Sequence, residues 1–372
     1  MKMKRIVNLL NLRSSKFFVY VLMLTFVLPQ LASAIKPFAR DMVLIYSGGQ
    51  HRSYVWNKDK LTPYVSMEDE KGNFHWLFDG FLFLEIHNGN GRGFASYYQK
   101  QAARKLEWKK LLDDYFTPGL NICALNDAIE AARKENPKNF TKRKIVLGMP
   151  EPIPDVDYWG GIDGKSLDFS KQADRLAACQ WFVDYATKKF EEAKLDNLEL
   201  SGFYWIAEEA TNSRDLARNV GDYVRLKGYN FNWIPYFKSD GFQEWRNLGF
   251  DIAYLQPNYF FNQDVPYERM DETSKLAFEN GMCVEMEFDE RAMKSKGFGY
   301  RLSDYIKAFD QYGIFENLPI AYYQGGTAFY NLCNSPEKED NDLYMELARR
   351  IANRQEKKEL KGMEHIKEMM RK

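Results

Sequence analysis

The segment LELSGFYWIAEE, residues 198–209, is an apolar run that ends in two glutamates. It is short and rich in aromatic residues, which is typical of a buried β-strand. Amphipathic patterns over 169–194 and 211–228 flank the segment, and both predict helices. A strand between two helices is the repeating unit of a parallel sheet, so this segment indicates an α/β fold.

Seven further apolar runs extend the alternation along the chain. They are MVLIYSGG (42–49), WLFDGFLFLEI (76–86), KIVLGMPEP (144–152), NFNWIPYF (230–237), DIAYLQPNY (251–259), MCVEMEFDE (282–290) and PIAYYQGG (319–326). Further helical patterns lie at 96–116, 125–136, 239–249, 270–281 and 302–313. Eight strands with intervening helices predict a single-domain (β/α)8 TIM barrel. A doubly wound open sheet is the alternative, and no GxGxxG follows the first strand to support its dinucleotide-binding form.

The N-terminal residues predict a secretory signal peptide. Basic residues precede the apolar run FFVYVLMLTFVL (17–28), and Ala32-Ser33-Ala34 supplies a small-x-small cleavage pattern. We therefore expect a signal peptide over 1–34, a barrel domain over 35–350 and a charged helical tail over 351–372. The mature protein is then exported, to the periplasm or outside the cell, without stable membrane insertion. An uncleaved anchor is the alternative, although the apolar run is short for a membrane span.

Composition narrows the class of partner. The formal net charge is +0, so the charge balance does not predict a nucleic-acid or membrane partner. Aromatic residues make up 16% of the chain, which fits a large aromatic core and also a site that stacks on sugar rings. The four cysteines lack metal-binding spacing and are expected to be buried free thiols.

The active site of such a barrel lies at the carboxyl ends of its strands. Two pairs of acidic residues occur there, Glu208 with Glu209 on the fourth strand and Glu285 with Glu287 on the seventh. The other candidates at or beside these ends are His51, Glu85, His87, Asn88, Glu151, Trp205, Tyr236, Gln256, Asn258, Tyr323 and Gln324.

Alternation along each strand predicts which side chains point inward. Apolar residues at 284, 286 and 288 suit the helical shell, so Glu285 and Glu287 should face the interior. By the same argument Glu208 should point into the barrel mouth and Glu209 away from it. Glu85 shares the face of Phe81 and Phe83, and we expect it to join the interior carboxylates, with Glu151 as a further member. Crowding of carboxylates raises the pKa of at least one of them, as a general acid requires.

These residues predict glycoside hydrolysis by two carboxyl groups. Glu208 is the predicted general acid, and Glu287 is the predicted nucleophile or base. Glu285, Glu85 and Tyr236 would tune their charge, and the polar and aromatic remainder would hold a carbohydrate substrate. Metal hydrolysis is the competing chemistry, but the 4 histidines form no HxH or HExxH motif, so no metal or cofactor is predicted. A non-catalytic glycan-binding barrel is the second hypothesis.

Two resemblances accompany this interpretation. Carboxylates at the ends of strands four and seven resemble the clan of retaining (β/α)8 glycosidases, although Ala207 stands where that clan usually has Asn, which leaves retention or inversion open. The strings LIYSGG (44–49), FDGFLFLE (78–85), GFYWIAEE (202–209) and LQPNYFF (255–261) resemble a family of exported proteins from Bacteroidetes and related bacteria. That family is known as a domain of unknown function regarded as glycosidase-like, which implies a role with polysaccharides.

Overall fold

The computed structural model describes residues 36–138 and 140–371. The predicted signal peptide over 1–34 lies outside the described residues. The described residues belong to one compact unit. All four cysteines lie in the described part of the chain and are free thiols, two of them buried and two half-buried.

Eight parallel strands close into a barrel, which confirms the predicted TIM-type fold and not the open sheet. Each strand pairs with its neighbours in the sequence, and the first also pairs with the eighth. All six residues of the first strand are buried, as expected for a parallel sheet that is covered on both faces. In chain order the strands are β1 Asp41–Tyr46, β2 Gly80–Leu84, β3 Arg143–Met149, β4 Leu198–Trp205, β5 Asn230–Trp233, β6 Ile252–Leu255, β7 Cys283–Glu287 and β8 Ile320–Tyr323.

Helices surround the barrel and pack against it through one apolar face. In Arg214–Leu226 the buried residues Leu216, Ala217, Val220 and Val224 form such a stripe. The helices are α1 Lys58–Val65, α2 Lys105–Tyr115, α3 Asn121–Glu135, α4 Gln172–Ala193, α5 Arg214–Leu226, α6 Glu268–Glu279, α7 Gly299–Gln311, α8 Ile314–Asn317, α9 Ala328–Cys333, α10 Lys338–Glu356 and α11 Met363–Met370. None of the helices in the described residues is long and apolar enough to cross a membrane.

Two segments differ from the helices that the sequence predicts. The helix expected over 96–116 begins only at Lys105, because Gln101–Ala102 pairs with Arg92–Gly93 and holds the preceding residues in a loop. The segment 239–249 contains only the 3-10 turn Phe242–Glu244. Helices α1 and α9 arise where no helical pattern is evident in the sequence.

A buried ion pair joins the two ends of the barrel domain. Arg354 of α10 donates from Nε to Oδ1 of Asp41 in β1 at 2.6 Å, and both side chains are almost fully buried. Tyr322 of β8 donates its hydroxyl proton to the same oxygen at 2.8 Å. Residues 351–356 therefore continue α10 and pack on the barrel, and Ile366 further along the predicted tail is also buried.

Strand pairing settles which side chains point into the barrel, because residues paired across parallel strands face the same side. Leu44 and Tyr46 of β1 pair with Leu82 and Leu84 of β2, and Tyr46 lines the barrel mouth. On the neighbouring side of β1, Glu287 of β7 pairs with Tyr323 of β8, and both also line the mouth. These faces position the candidate site.

Candidate active site

A cavity of about 240 Å³ opens at the carboxyl ends of the strands. Three carboxyl side chains line it, from Glu208, Glu285 and Glu287, as the alternation along β4 and β7 predicts. The rest of its wall is aromatic, amide or aliphatic, and consists of Leu44, Tyr46, Ile86, Tyr98, Tyr204, Ile234, Gln256, Asn258, Phe261 and Tyr323. We call it the mouth cavity.

A chain of hydrogen bonds connects Glu208 to Glu287. Gln256 donates from Nε2 to Oε1 of Glu208 at 3.0 Å, and its own oxygen accepts a bond from Nδ2 of Asn258 at 3.4 Å. The backbone N–H of Asn258 donates to Oε2 of Glu287 at 2.7 Å. Asn258 has φ 50°, in the left-handed region that Asn tolerates better than most residues. The loop after β6 thus fixes the position of both predicted catalytic carboxyls.

Glu287 lies deep in the mouth cavity and receives two strong donors on one oxygen. Besides the Asn258 N–H, the hydroxyl of Tyr305 in α7 donates to Oε2 at 2.6 Å. Burial raises the pKa of Glu287 to about 7, against the effect of the Tyr305 and Asn258 hydrogen bonds, and the nearby Glu208 adds to the rise. Hydrogen bonds to the carboxylate favour its charged form, so the site keeps this group close to ionisation near neutral pH.

Glu285 lies on the same face of β7 as Glu287 and is only 2% exposed. Its Oε1 has no hydrogen-bond partner among the described residues. Burial, followed by the charges of Glu287 and Glu208, raises the pKa of Glu285 well above its usual value. A buried carboxyl without donors is more stable as the neutral acid, so the surroundings of Glu285 favour its protonated form.

Glu208 lies between the mouth cavity and a second cavity of about 290 Å³, and lines both. Burial raises the pKa of Glu208, and the hydrogen bond from Gln256 opposes the rise. Among the described residues, Glu208 receives this one side-chain hydrogen bond, whereas Glu287 receives one from the Tyr305 hydroxyl and one from the Asn258 N–H. An acid that faces two adjoining cavities can deliver a proton to an atom between them.

The second cavity contains two further residues from the predicted set. Tyr236 donates its hydroxyl proton to Oε2 of Glu209 at 2.7 Å, so its contact is with the neighbour of Glu208. Glu151 accepts from the backbone N–H of Ser96 at 2.7 Å and is 3% exposed. It thereby holds the loop that carries Tyr97 and Tyr98, which also line this cavity.

Glu85 is not an interior carboxylate, contrary to the sequence prediction. It has the same parity as Phe83, which contacts Tyr115 of α2 in the helical shell, whereas Ile86 takes the place at the mouth. Arg52 binds Glu85 through two hydrogen bonds of 2.7 Å, from Nε and Nη2. A fully buried carboxylate paired in this way is structural, and it fixes the loop that follows β1.

Gln324 and Trp205 also point into the shell, so neither can hold a substrate in the mouth. Gln324 follows the parity of the shell-facing Tyr322; it accepts from the Tyr64 hydroxyl at 3.1 Å and donates to the Gly326 carbonyl at 3.0 Å. Trp205 is fully buried, pairs with Trp233 in the adjacent strand and packs edge-on against Phe231.

The remaining predicted residues lie on loops near the rim. His51 and His87 stack with ring centroids 3.9 Å apart, and neither lines the mouth cavity. Partial burial lowers the pKa of His51, against the attraction of Glu85. Asn88 uses its side-chain oxygen to accept from the N–H groups of Asn90 and Arg92, so its role is to shape the loop after β2.

Sequence reasoning missed three residues that shape the site. Tyr305 comes from a helix, and its apolar neighbours give it the appearance of an ordinary core residue. Tyr98 lies in the segment predicted as helix, and the adjacent tyrosines at 97 and 98 are the signal in the sequence for an aromatic surface there. Arg52 follows the predicted end of β1. It reaches Glu85 only because of the conformation of the loop after β1, which the sequence does not show. No group of three or more His, Cys, Asp or Glu residues with metal-binding geometry occurs within 36–138 and 140–371.

Comparison with known proteins identifies a family. Residues 41–349 match the family described as domain of unknown function DUF4855. No curated protein sequence matches the chain.

Solved structures with similar architecture have unrelated activities and distant sequences. A GH26 beta-mannanase from Bacteroides ovatus aligns at 11% identity and TM-score 0.40, over 87% of this chain and 90% of the mannanase. A xylanase and alpha-amylase inhibitor protein from Scadoxus multiflorus aligns at 12% identity and TM-score 0.41, over 81% of this chain and 97% of the inhibitor. A mutant tryptophan synthase alpha-subunit from Pyrococcus furiosus aligns at 8% identity and TM-score 0.37, over 86% of this chain and 99% of the subunit. Similarity at this level carries no argument about function.

Proposed function

We propose that this chain, which belongs to the DUF4855 family, is a glycoside hydrolase that cleaves a poly- or oligosaccharide with two carboxyl groups. The observation that supports it best is the pairing of Glu208 and Glu287 across one cavity, linked through Gln256 and Asn258. Neither family membership nor the distant structural neighbours supply this argument. The carbohydrate partner and export remain parts of the proposal.

The two carboxyl groups have different environments, and this difference assigns their roles. Glu208 lines both cavities, whereas Glu287 lines the mouth cavity, so Glu208 is the group placed to donate a proton to a glycosidic oxygen at the boundary between them. The hydroxyl of Tyr305 and the N–H of Asn258 stabilise the Glu287 carboxylate, and both bind Oε2. Oε1 takes part in neither bond and is the oxygen that reacts.

Two courses of reaction satisfy the proton balance. In the first, Oε1 of Glu287 bonds to the anomeric carbon as the bond to the leaving oxygen breaks and Glu208 protonates that oxygen. Water then cleaves the glycosyl–enzyme bond and gives a proton to Glu208. In the second, water attacks the anomeric carbon directly, Glu287 takes its proton, and Glu208 protonates the leaving oxygen. The first course retains the anomeric configuration and the second inverts it.

Glu208→Gln and Glu287→Gln test the assignment. Both variants should lose hydrolysis of a natural glycan by about 10²–10⁴-fold, the range for removal of a positioned acid or base. A matched control is Glu199→Gln, because Glu199 lies at the opposite end of β4 and pairs with Lys36 at 3.6 Å. The readout is the release of reducing ends from a panel of plant, algal and microbial polysaccharides.

An activated substrate separates the two roles. A 2,4-dinitrophenyl glycoside has a leaving group that needs no protonation, so Glu208→Gln should retain bond cleavage on it whereas Glu287→Gln should not. If Glu208→Gln hydrolyses every natural glycan at the wild-type rate, the acid assignment is wrong. Glycan binding without turnover in the wild type would instead identify a non-catalytic glycan-binding barrel.

A further inference from the structure

The buried carboxyl of Glu285 has an atom that nothing in the described protein satisfies. In β7 it lies opposite Ala321 of β8, whose small side chain leaves space beside it. It is 2% exposed, lines the mouth cavity, and has no partner for Oε1 among the described residues. An unsatisfied polar atom in a buried position destabilises the folded state, so its presence at a cavity wall calls for a functional reason.

The charge of the cavity limits what could satisfy this atom. Among the described residues that line the mouth cavity there are three glutamates and no lysine, arginine or histidine. An anionic ligand would meet repulsion from any ionised glutamate and would find no cation to bind. A hydroxyl group can accept a hydrogen bond or donate one without adding charge.

The shape of the cavity limits the ligand further. Its volume of about 240 Å³ lies just below the usual range of pockets for drug-sized molecules, and is suited to one small ring. Tyr46, Phe261 and Tyr323 contribute aromatic surface to its wall, with Tyr323 edge-on to both of the others. Aromatic faces beside isolated polar groups are suited to a sugar, which has apolar C–H faces and a hydroxyl edge.

We propose that Glu285 is a specificity-determining residue that hydrogen-bonds one hydroxyl of a single uncharged sugar ring bound in the mouth cavity. The inference deepens the proposed function, because this ring is the one whose anomeric carbon meets Glu287. A neutral carboxylic acid has one O–H donor as well as acceptor capacity, so it can pair with a hydroxyl in either direction. Burial, which raises the pKa of Glu285, favours this protonated form.

Binding of simple sugars tests the proposal without any hydrolysis. Saturation-transfer NMR titrations would use D-glucose, D-mannose, D-galactose and D-glucuronate with the wild type, Glu285→Gln and Glu285→Leu. We expect at least one neutral hexose to bind the wild type and glucuronate to bind at least tenfold more weakly. Glu285→Gln retains a donor and an acceptor and should stay within about threefold of the wild type. Glu285→Leu should bind the neutral hexose at least tenfold more weakly than the wild type does.

Deoxy analogues identify the hydroxyl that Glu285 binds. Among the 2-, 3-, 4- and 6-deoxy forms of the hexose that binds most tightly, one should bind the wild type at least tenfold more weakly than the parent hexose does. For Glu285→Leu, this deoxy form and the parent hexose should bind with equal affinity. Thermal unfolding provides the control for folding. Glu285→Leu should unfold at the same or a higher temperature, because it removes a buried polar group that has no partner.

Three outcomes would overturn the proposal: no neutral hexose binds the wild type, glucuronate binds as tightly as the best hexose, or Glu285→Leu binds every sugar as the wild type does. A lower unfolding temperature for Glu285→Leu together with unchanged sugar discrimination would assign Glu285 a structural role. Because hydrolysis is not measured, loss of the glycosidase proposal would leave this result intact. The protein would then be a binding barrel with the same sugar preference.

Discussion

The carboxyl group of Glu287 is held between opposing influences. Burial disfavours its charge, whereas the Tyr305 hydroxyl and the Asn258 N–H favour it, and the outcome is a pKa of about 7. A carboxyl group with a pKa near neutral pH can gain or lose a proton at the pH at which most proteins work. General acid and base catalysis requires such a group. Single hydrogen bonds at this residue should therefore have measurable effects on its titration.

Tyr305→Phe should raise the pKa of Glu287 by about one unit, since it removes a donor that stabilises the carboxylate; one unit corresponds to about 1.4 kcal/mol. The measurement is an NMR titration of ¹³C-labelled glutamate side chains. Tyr312→Phe is the matched control, because its hydroxyl binds Asp271 at 2.8 Å in the outer shell. An unchanged Glu287 titration in Tyr305→Phe would remove Tyr305 from the description of the site.

Alternation along a strand predicts faces only when the two faces differ in composition. On β7 one face is apolar and the other acidic, so Glu285 and Glu287 could be placed from the sequence. On β2 one face carries Phe81 and Phe83, and the other carries Leu82 and Leu84. The two faces are equally apolar. Nothing in that pattern distinguishes the barrel interior from the shell, and for this reason Glu85 was assigned to the wrong side. The same holds for Gln324. The two residues before it, Tyr322 and Tyr323, are of the same type although they lie on opposite faces of β8, so the sequence does not show which face Gln324 continues.

At the level of elements, all eight strands could be predicted because each is a short apolar run between polar segments. The loop over 96–103 could not, because its Tyr and Ala residues also suit a helix and its conformation depends on distant groups. Glu151 holds Ser96, and Arg92–Gly93 pairs with Gln101–Ala102. Tyr98 reaches both cavities only because this segment is a loop. Local propensity does not contain such contacts.

The loop after β1 is held to β2 by the Arg52–Glu85 pair. Arg52→Leu leaves Glu85 buried without its partner, and loss of one member of a buried pair costs about 3–5 kcal/mol of unfolding free energy. Urea unfolding of the wild type, the two single variants and Arg52→Leu/Glu85→Leu would measure this. We expect the double variant to be more stable than Arg52→Leu. Equal stability of the wild type and Arg52→Leu would show that the pair does not hold the loop.

At the scale of the whole molecule, the cluster of buried carboxyls links stability to pH. The pKa of Glu287 is about 7 in the folded state and about 4.3 in an unfolded chain. The folded state thus binds the extra proton between these values, so the free energy of unfolding falls as pH rises from about 4.5 to 7 and levels off above that. For this one group the loss is about 3–4 kcal/mol.

Glu287→Gln should remove the share of this pH dependence that Glu287 contributes, whereas Glu285 and Glu208, whose pKa values are also raised, retain theirs. Urea unfolding at pH 5 and pH 8 would give a smaller decrease in the variant than in the wild type, and Glu199→Gln should behave as the wild type. A wild-type unfolding free energy that rises over this interval more than it does in Glu287→Gln would contradict the raised pKa.

The Arg354–Asp41 pair has a consequence for how the protein is made. The two residues are separated by 313 positions, so the partner of the buried Asp41 is synthesised after all eight strands of the barrel. A nascent chain that has emerged up to β8 holds all eight strands but still lacks the cation that neutralises the first of them. A chain that collapses before Arg354 has emerged therefore buries Asp41 without its cation, which disfavours a closed barrel at that stage of synthesis.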